Sequence, residues 1–131
     1  MEPTATQVAT VTHLKCIDLS YLRRITKSNP GVMTKMMVLY LRQVPPLILS
    51  LRKGFNEQDW KTVFHASHQL IPSFAIMGIG IEFEAMSKRI QQSAGAGHSI
   101  PEMHGMISQL EEICTIACQE IESELRVEQT V

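Results

Sequence analysis

Two imidazoles stand three residues apart in the run Asp59-Trp60-Lys61-Thr62-Val63-Phe64-His65-Ala66-Ser67-His68-Gln69-Leu70-Ile71-Pro72-Ser73-Phe74-Ala75-Ile76-Met77-Gly78. With an ordinary pKa near ~6.5, much of an imidazole is neutral and nucleophilic at neutral pH. Wound as a helix at about 100° per residue, the run puts Trp60, Val63, Phe64, Ser67, Leu70, Ile71 and Phe74 on one stripe. His68 falls at the edge of that stripe, so its ring is fixed at the base and open at the tip. That placement suits a group that must be attacked or do the attacking. His65 and His68 could instead share a metal, but no third ligand is evident nearby, since His13, His98 and His104 fall in other segments. No serine or cysteine is framed by a base and an orienting group, which leaves a hydrolase unsupported. Nothing has the form of a nucleotide-binding loop, which argues against an ATP-dependent kinase.

The elements that hold these rings are helical throughout. Asp18 is an acceptable cap for a short first helix carrying Leu19, Leu22 and Ile25. Asn29-Pro30 reads as a cap followed by proline at the first helical position. The second helix carries Met33, Met36, Met37, Tyr40, Val44, Leu47, Ile48 and Leu51. Its apolar phase runs through Pro45-Pro46, so one long helix, kinked or briefly broken there, is expected, with Gly54 as its stop. Asn56 is the expected cap of the third helix, with Asp59 in its first turn. Pro72 deletes the hydrogen bond to the His68 carbonyl, and Ser73 can bond back one turn. Ile71 has the angle of a core residue. A fourth helix is expected from about Ile81 to Gln92, then a small-residue loop over Ser93–Gly97. A capping box at Ser99-Ile100-Pro101-Glu102 opens the last helix, whose stripe runs from Met103 to Leu125. Each helix has one apolar face and short connections, which predicts an all-α protein: an antiparallel four-helix bundle with a short additional N-terminal helix.

The 131 residues fit a single bundle domain over 13–128, preceded by a flexible Thr-rich segment at 1–12. A hydrophobic fraction of 44% supports a packed core rather than disorder. A formal net charge of -1 supplies no basic field, so nucleic acid is not an expected partner. The N-terminus lacks the basic start and apolar core of a signal peptide, and no apolar run is long enough to cross a bilayer. Three cysteines, Cys16, Cys114 and Cys118, make an odd set without a disulfide layout and read as packed thiols in a reducing cytoplasm.

The run around His68 resembles the histidine-containing phosphotransfer (HPt) domain of bacterial two-component phosphorelays. His68, Leu70, Ser73 and Gly78 match that family's pattern of His, any residue, Leu, Lys, Gly, Ser and a later Gly. Asp59-Trp60 match an acidic-aromatic pair nine and eight residues before its histidine. The likeness extends more loosely over Asp18 to about Gln92. Two positions depart from the pattern: Ile71 stands for the usual Lys and Pro72 for the usual Gly. The resemblance implies that His68 is the phosphoacceptor, taking a phosphoryl group from a receiver-domain aspartate and passing it to another receiver. Lys61, His65, Ile71 and Pro72 would flank that site, and Pro72, Ala75 and Ile76 would form an apolar docking patch. It further implies partners among response-regulator receiver domains, with a hybrid histidine kinase as a further candidate. The magnesium belongs to the receiver, so no cofactor of the chain's own is expected, and the absence of a fused kinase or receiver suggests a free-standing shuttle. The other reading is an adaptor that keeps the bundle and binds receivers without carrying phosphate, with Ile71 and Pro72 as marks of lost transfer.

Overall fold

Asn29 turns the chain into its first long helix: its side-chain oxygen accepts the Val32 N–H at 3.1 Å, and Pro30 occupies the first helical position. The computed structural model describes residues 16–130, with side chains to residue 127. Segment 1–12 and His13 lie outside the described residues. The described helices are α1 (Ser20–Thr26), α2 (Pro30–Asn56), α3 (Trp60–Met77), α4 (Ile81–Gly95) and α5 (Met103–Thr130), with no strand among the described residues. α3 packs between α2 and α4, α5 closes the ring against α2 and α4, and α1 lies on α2 and α3. The short connections at 57–59 and 78–80 make successive long helices antiparallel. This is the expected four-helix bundle with an extra short helix.

The core is the inner stripe of each helix. Leu22, Val44, Leu51, Val63, Leu70, Phe74, Ile90, Ile107, Leu110 and Ile121 are fully buried. Each aliphatic side chain so buried contributes on the order of 1.5–3 kcal/mol relative to exposure. Ser67 and Ser87 are also fully buried, on α3 and α4, and return their hydroxyls to the Val63 and Phe83 carbonyls at 2.7 and 3.1 Å. They bury little bulk and leave no unpaired donor, which suits the close packing of these two helices.

Several boundaries differ from the sequence expectation. α1 is capped at Leu19 rather than Asp18, although the Asp18 carboxylate still accepts the Ser20 N–H at 2.9 Å. α2 runs unbroken through Pro45 and Pro46 and past Gly54. Gly54 is a contact point instead of a stop: a Cβ there would lie 3.0 Å from Val63 Cγ2 and 3.2 Å from the Asp59 carbonyl. Asp59, not Asn56, caps α3, because Asn56 is still inside α2. α4 continues to Gly95, since Ser93 and Ala94 remain buried. The capping box does not form; the Ser99 hydroxyl donates to the Ile100 carbonyl at 3.1 Å, and α5 begins at Met103.

α3 ends in a tight device. Gly78 adopts φ 66°, its N–H bonds the Ala75 carbonyl at 3.3 Å, and the Ile79 N–H bonds the Phe74 carbonyl at 3.0 Å. This is a Schellman closure, with buried Ile79 packed in the same core as Phe74. The entering chain crosses directly over it, and the Asp18 N–H bonds the Met77 carbonyl at 3.0 Å.

Candidate functional site

The site grows from the start of α3. Asp59 Oδ1 accepts the Thr62 N–H at 3.3 Å and Oδ2 accepts the Thr62 hydroxyl at 2.7 Å. Those bonds hold the Asp59 carboxyl below its ordinary range. The cap fixes the register of the helix, and the register decides which residues face out. Val63, Ala66, Ser67 and Leu70 turn inward and are buried, while Lys61, His65 and His68 are exposed.

The His68 ring is held on two sides. Phe64, one turn earlier, lies parallel to it, with centroids 6.1 Å apart and planes 2° from each other. The same phenyl meets His65 edge-on at 5.7 Å and 80°. From α4, the Gln91 amide nitrogen stands 3.2 Å from His68 Nδ1. In that orientation Gln91 donates, and the ring proton sits on Nε2. The carboxamide is nearly symmetric in shape. Turned over, it offers its oxygen to an Nδ1–H and leaves Nε2 with a free lone pair. Gln91 can therefore set which ring nitrogen carries the proton and which the free lone pair.

Beside His68 runs an open groove of about 530 Å³ between α2 and α3, walled by Gln43, Pro46 and Leu47 on one side and Gln69, Pro72, Ser73 and Ile76 on the other. A second hollow, about 500 Å³, opens one turn nearer the start of α3 and is lined by Trp60, Lys61, Phe64, His65 and Gly95. His68 thus borders one depression, and its stacking partner Phe64 borders the other.

The remaining sequence candidates distribute as follows. Pro72 is exposed; Ala75 and Ile76 are half-buried, and Ile76 packs partly against the core. Ile71 is half-buried and does not join the apolar residues packed on the core, so its placement as plain core is corrected. The reason is angular: Ile71 stands roughly a quarter-turn from the centre of the set Val63, Ala66, Leu70 and Phe74. Ser73 does bond back, its hydroxyl donating to the Gln69 carbonyl at 3.4 Å. Sequence reasoning missed Gln91. It lies on a different helix, and its only signal was a polar residue following Ile90 on the flank that α4 turns to α3.

Away from this face, Cys16, Cys114 and Cys118 are free thiols. Burial is the first cause that pushes Cys16 and Cys114 up to about 12, and it raises Cys118 as well. Among the described residues no group of three or more His, Cys, Asp or Glu is placed to hold a metal, and no helix is long and apolar enough to cross a membrane. Arg52 forms a bidentate pair with Glu111 at 2.8 and 2.9 Å and also reaches His104 Nδ1 at 3.1 Å and the Ser108 hydroxyl at 3.1 Å, tying α2 to α5.

No protein-family model and no curated protein matches the chain. Among solved structures it is similar to histidine-containing phosphotransfer protein B (HptB) from Pseudomonas aeruginosa PAO1, with a TM-score of 0.72 and 16% sequence identity over 85% of this chain and 95% of that one. The bundle described above is therefore a shared fold, and the identity is low enough that the likeness speaks for fold alone.

Proposed function

We propose that this chain is a phosphorelay intermediate that carries a phosphoryl group on His68. The observation that supports this best is an exposed imidazole, stacked on Phe64 and hydrogen-bonded through Nδ1 to Gln91, on a fold shared with a phosphotransfer protein. The donor is an aspartyl phosphate on a response-regulator receiver domain. With Nδ1–H held by the Gln91 oxygen, the Nε2 lone pair forms the N–P bond as the P–O bond to the aspartyl carboxyl breaks. The carboxylate leaves with its electron pair, and the ring keeps the Nδ1 proton. The return step, to a second receiver, reverses these bonds. Positioning and charge neutralisation carry such transfers, and the receiver's magnesium supplies much of the latter. The chain then acts as a carrier with no ATP site, at work in the cytoplasm.

Docking uses the groove between α2 and α3, where Pro46, Leu47, Pro72 and Ile76 give an apolar surface next to the reacting nitrogen. A second reading has one observation in its favour: Ile71, one turn beyond His68, offers no cation to a phosphoryl group. On that reading the chain is a receiver-binding adaptor without transfer. Incubation with a phosphorylated receiver and magnesium separates the two. Phosphotransfer gives acid-labile label on the wild-type chain and none on His68→Gln. Binding without label supports the adaptor, and label lost only in His65→Ala moves the acceptor to the other imidazole.

A further inference from the structure

A phosphoryl group on His68 brings about two negative charges to a surface where α3 itself offers little to meet them. Lys61 stands two turns before His68, roughly 10 Å along the axis, and Ile71 one turn after it is apolar. The neighbouring helix offers more. Gln91 touches the His68 ring, and Lys88 precedes Gln91 by three residues on α4, so the two side chains are neighbours on one helix face. Lys88 is exposed and forms no ion pair among the described residues, with Glu84 one turn before it also unengaged. α3 and α4 run antiparallel, so a step back from Gln91 is a step forward from His68, toward Ile71.

We infer that Lys88 is the cation that meets the phosphoryl oxygens on His68, reaching across from α4 with its methylene stem over Ile71. An apolar residue at position 71 then has a use. A lysine stem packs on aliphatic surface while its ammonium stays in water, and a cation already at 71 would repel it. This rests on the phosphotransfer reading and names the group that completes its electrostatics.

The test needs no cognate receiver. Phosphoramidate, a small phosphodonor, is used to label the folded full chain, and the phosphoryl resonance is followed by ³¹P NMR against pH. A nearby ammonium favours the dianion and lowers the pH at which the phosphoryl group protonates. At an exposed site the effect is about threefold in the protonation constant, so Lys88→Gln raises the midpoint by about half a pH unit. Lys88→Arg keeps the wild-type midpoint, and Lys61→Gln leaves it unchanged, as does Arg42→Gln at an exposed arginine of α2 one turn before Pro46. Unaltered circular dichroism in each variant keeps the readout local. A midpoint in Lys88→Gln equal to wild type, or a shift that follows Lys61 or Arg42 instead, overturns the lysine assignment while phosphotransfer stands. No phosphohistidine signal in the wild-type chain removes the phosphotransfer reading itself, and this inference with it.

Discussion

Replacing Gly78 by alanine is expected to be among the most damaging single-methyl additions this chain can receive. An added Cβ at Gly78 would sit 2.1 Å from the Asp18 carbonyl oxygen and 2.8 Å from the Asp18 Cβ. Neither contact can be relieved by a rotamer change, because the closer atom is backbone. The residue also holds φ 66°, which costs a side chain roughly 1–2 kcal/mol. Moving the Asp18 segment away breaks its N–H bond to the Met77 carbonyl, worth about 1 kcal/mol, and loosens the buried Ile17 and Leu19 beside it. The sum is about 2–4 kcal/mol for Gly78→Ala. Gly78→Asn separates the causes, since asparagine tolerates the left-handed backbone but still carries a Cβ; it should remain clearly destabilised. Gly105 is the internal control: nothing lies within 4 Å of its added Cβ, and Gly105→Ala in α5 should be neutral or stabilising by up to ~1 kcal/mol. Urea unfolding followed at 222 nm reads all three midpoints. A loss under about 1 kcal/mol in Gly78→Ala, at an unchanged denaturant slope, would refute the steric reasoning. So would an asparagine variant as stable as wild type.

Gln91→Leu removes the hydrogen bond to Nδ1 and should slow phosphoramidate labelling of His68 by roughly two- to tenfold, the worth of one such bond. The ¹⁵N shifts of the ring should report a changed tautomer balance, and an unchanged balance would end the role given to Gln91. Arg52→Gln should cost at most about 1 kcal/mol at neutral pH, because the pair with Glu111 is partly exposed. The guanidinium's hydrogen bonds hold the Glu111 carboxyl below its ordinary range. The stabilisation is therefore fully present above that range and fades as pH falls through the lowered one, so the gap between wild type and variant should close in acid. A gap that widens in acid would contradict the pairing. With thiols pushed up to about 12, Cys16 and Cys114 should react very slowly with a disulfide reagent at pH 8 and rapidly once the chain is unfolded. Fast stoichiometric reaction of all three cysteines in the native protein would show that the burial is not maintained in solution.

The helices were legible because their apolar phase is strong and their starts carry chemistry. Asn29-Pro30 announces α2, and the apolar phase from Met33 to Leu51 crosses two prolines without a change of face. What misled was punctuation with two meanings. Gly54 looks like a stop, but its missing side chain is used against Val63 and Asp59. Asn56 and Asp59 are both good caps, and a sequence window does not say that Leu51 and Gly54 must be buried before α2 can end. The site was half legible. His68, its exposure and its flanking His65 and Lys61 follow from one helix's period. Gln91 arrives from α4, and its contact with His68 depends on the depth at which two helices interlock, which no local pattern encodes.

The groove beside His68 has a proline in each wall, Pro46 from α2 and Pro72 from α3. A proline nitrogen has no hydrogen to give, so each leaves the carbonyl one turn earlier, those of Arg42 and His68, without its usual helical donor. Both residues are exposed, and a main-chain oxygen without its helical partner is a strong acceptor. A visitor that dries this cleft must bring N–H or O–H groups to the same two points or leave them stranded. Exchanging either proline for a residue with an N–H would hand its carbonyl back a helical donor, so the two acceptors last only as long as the two rings do.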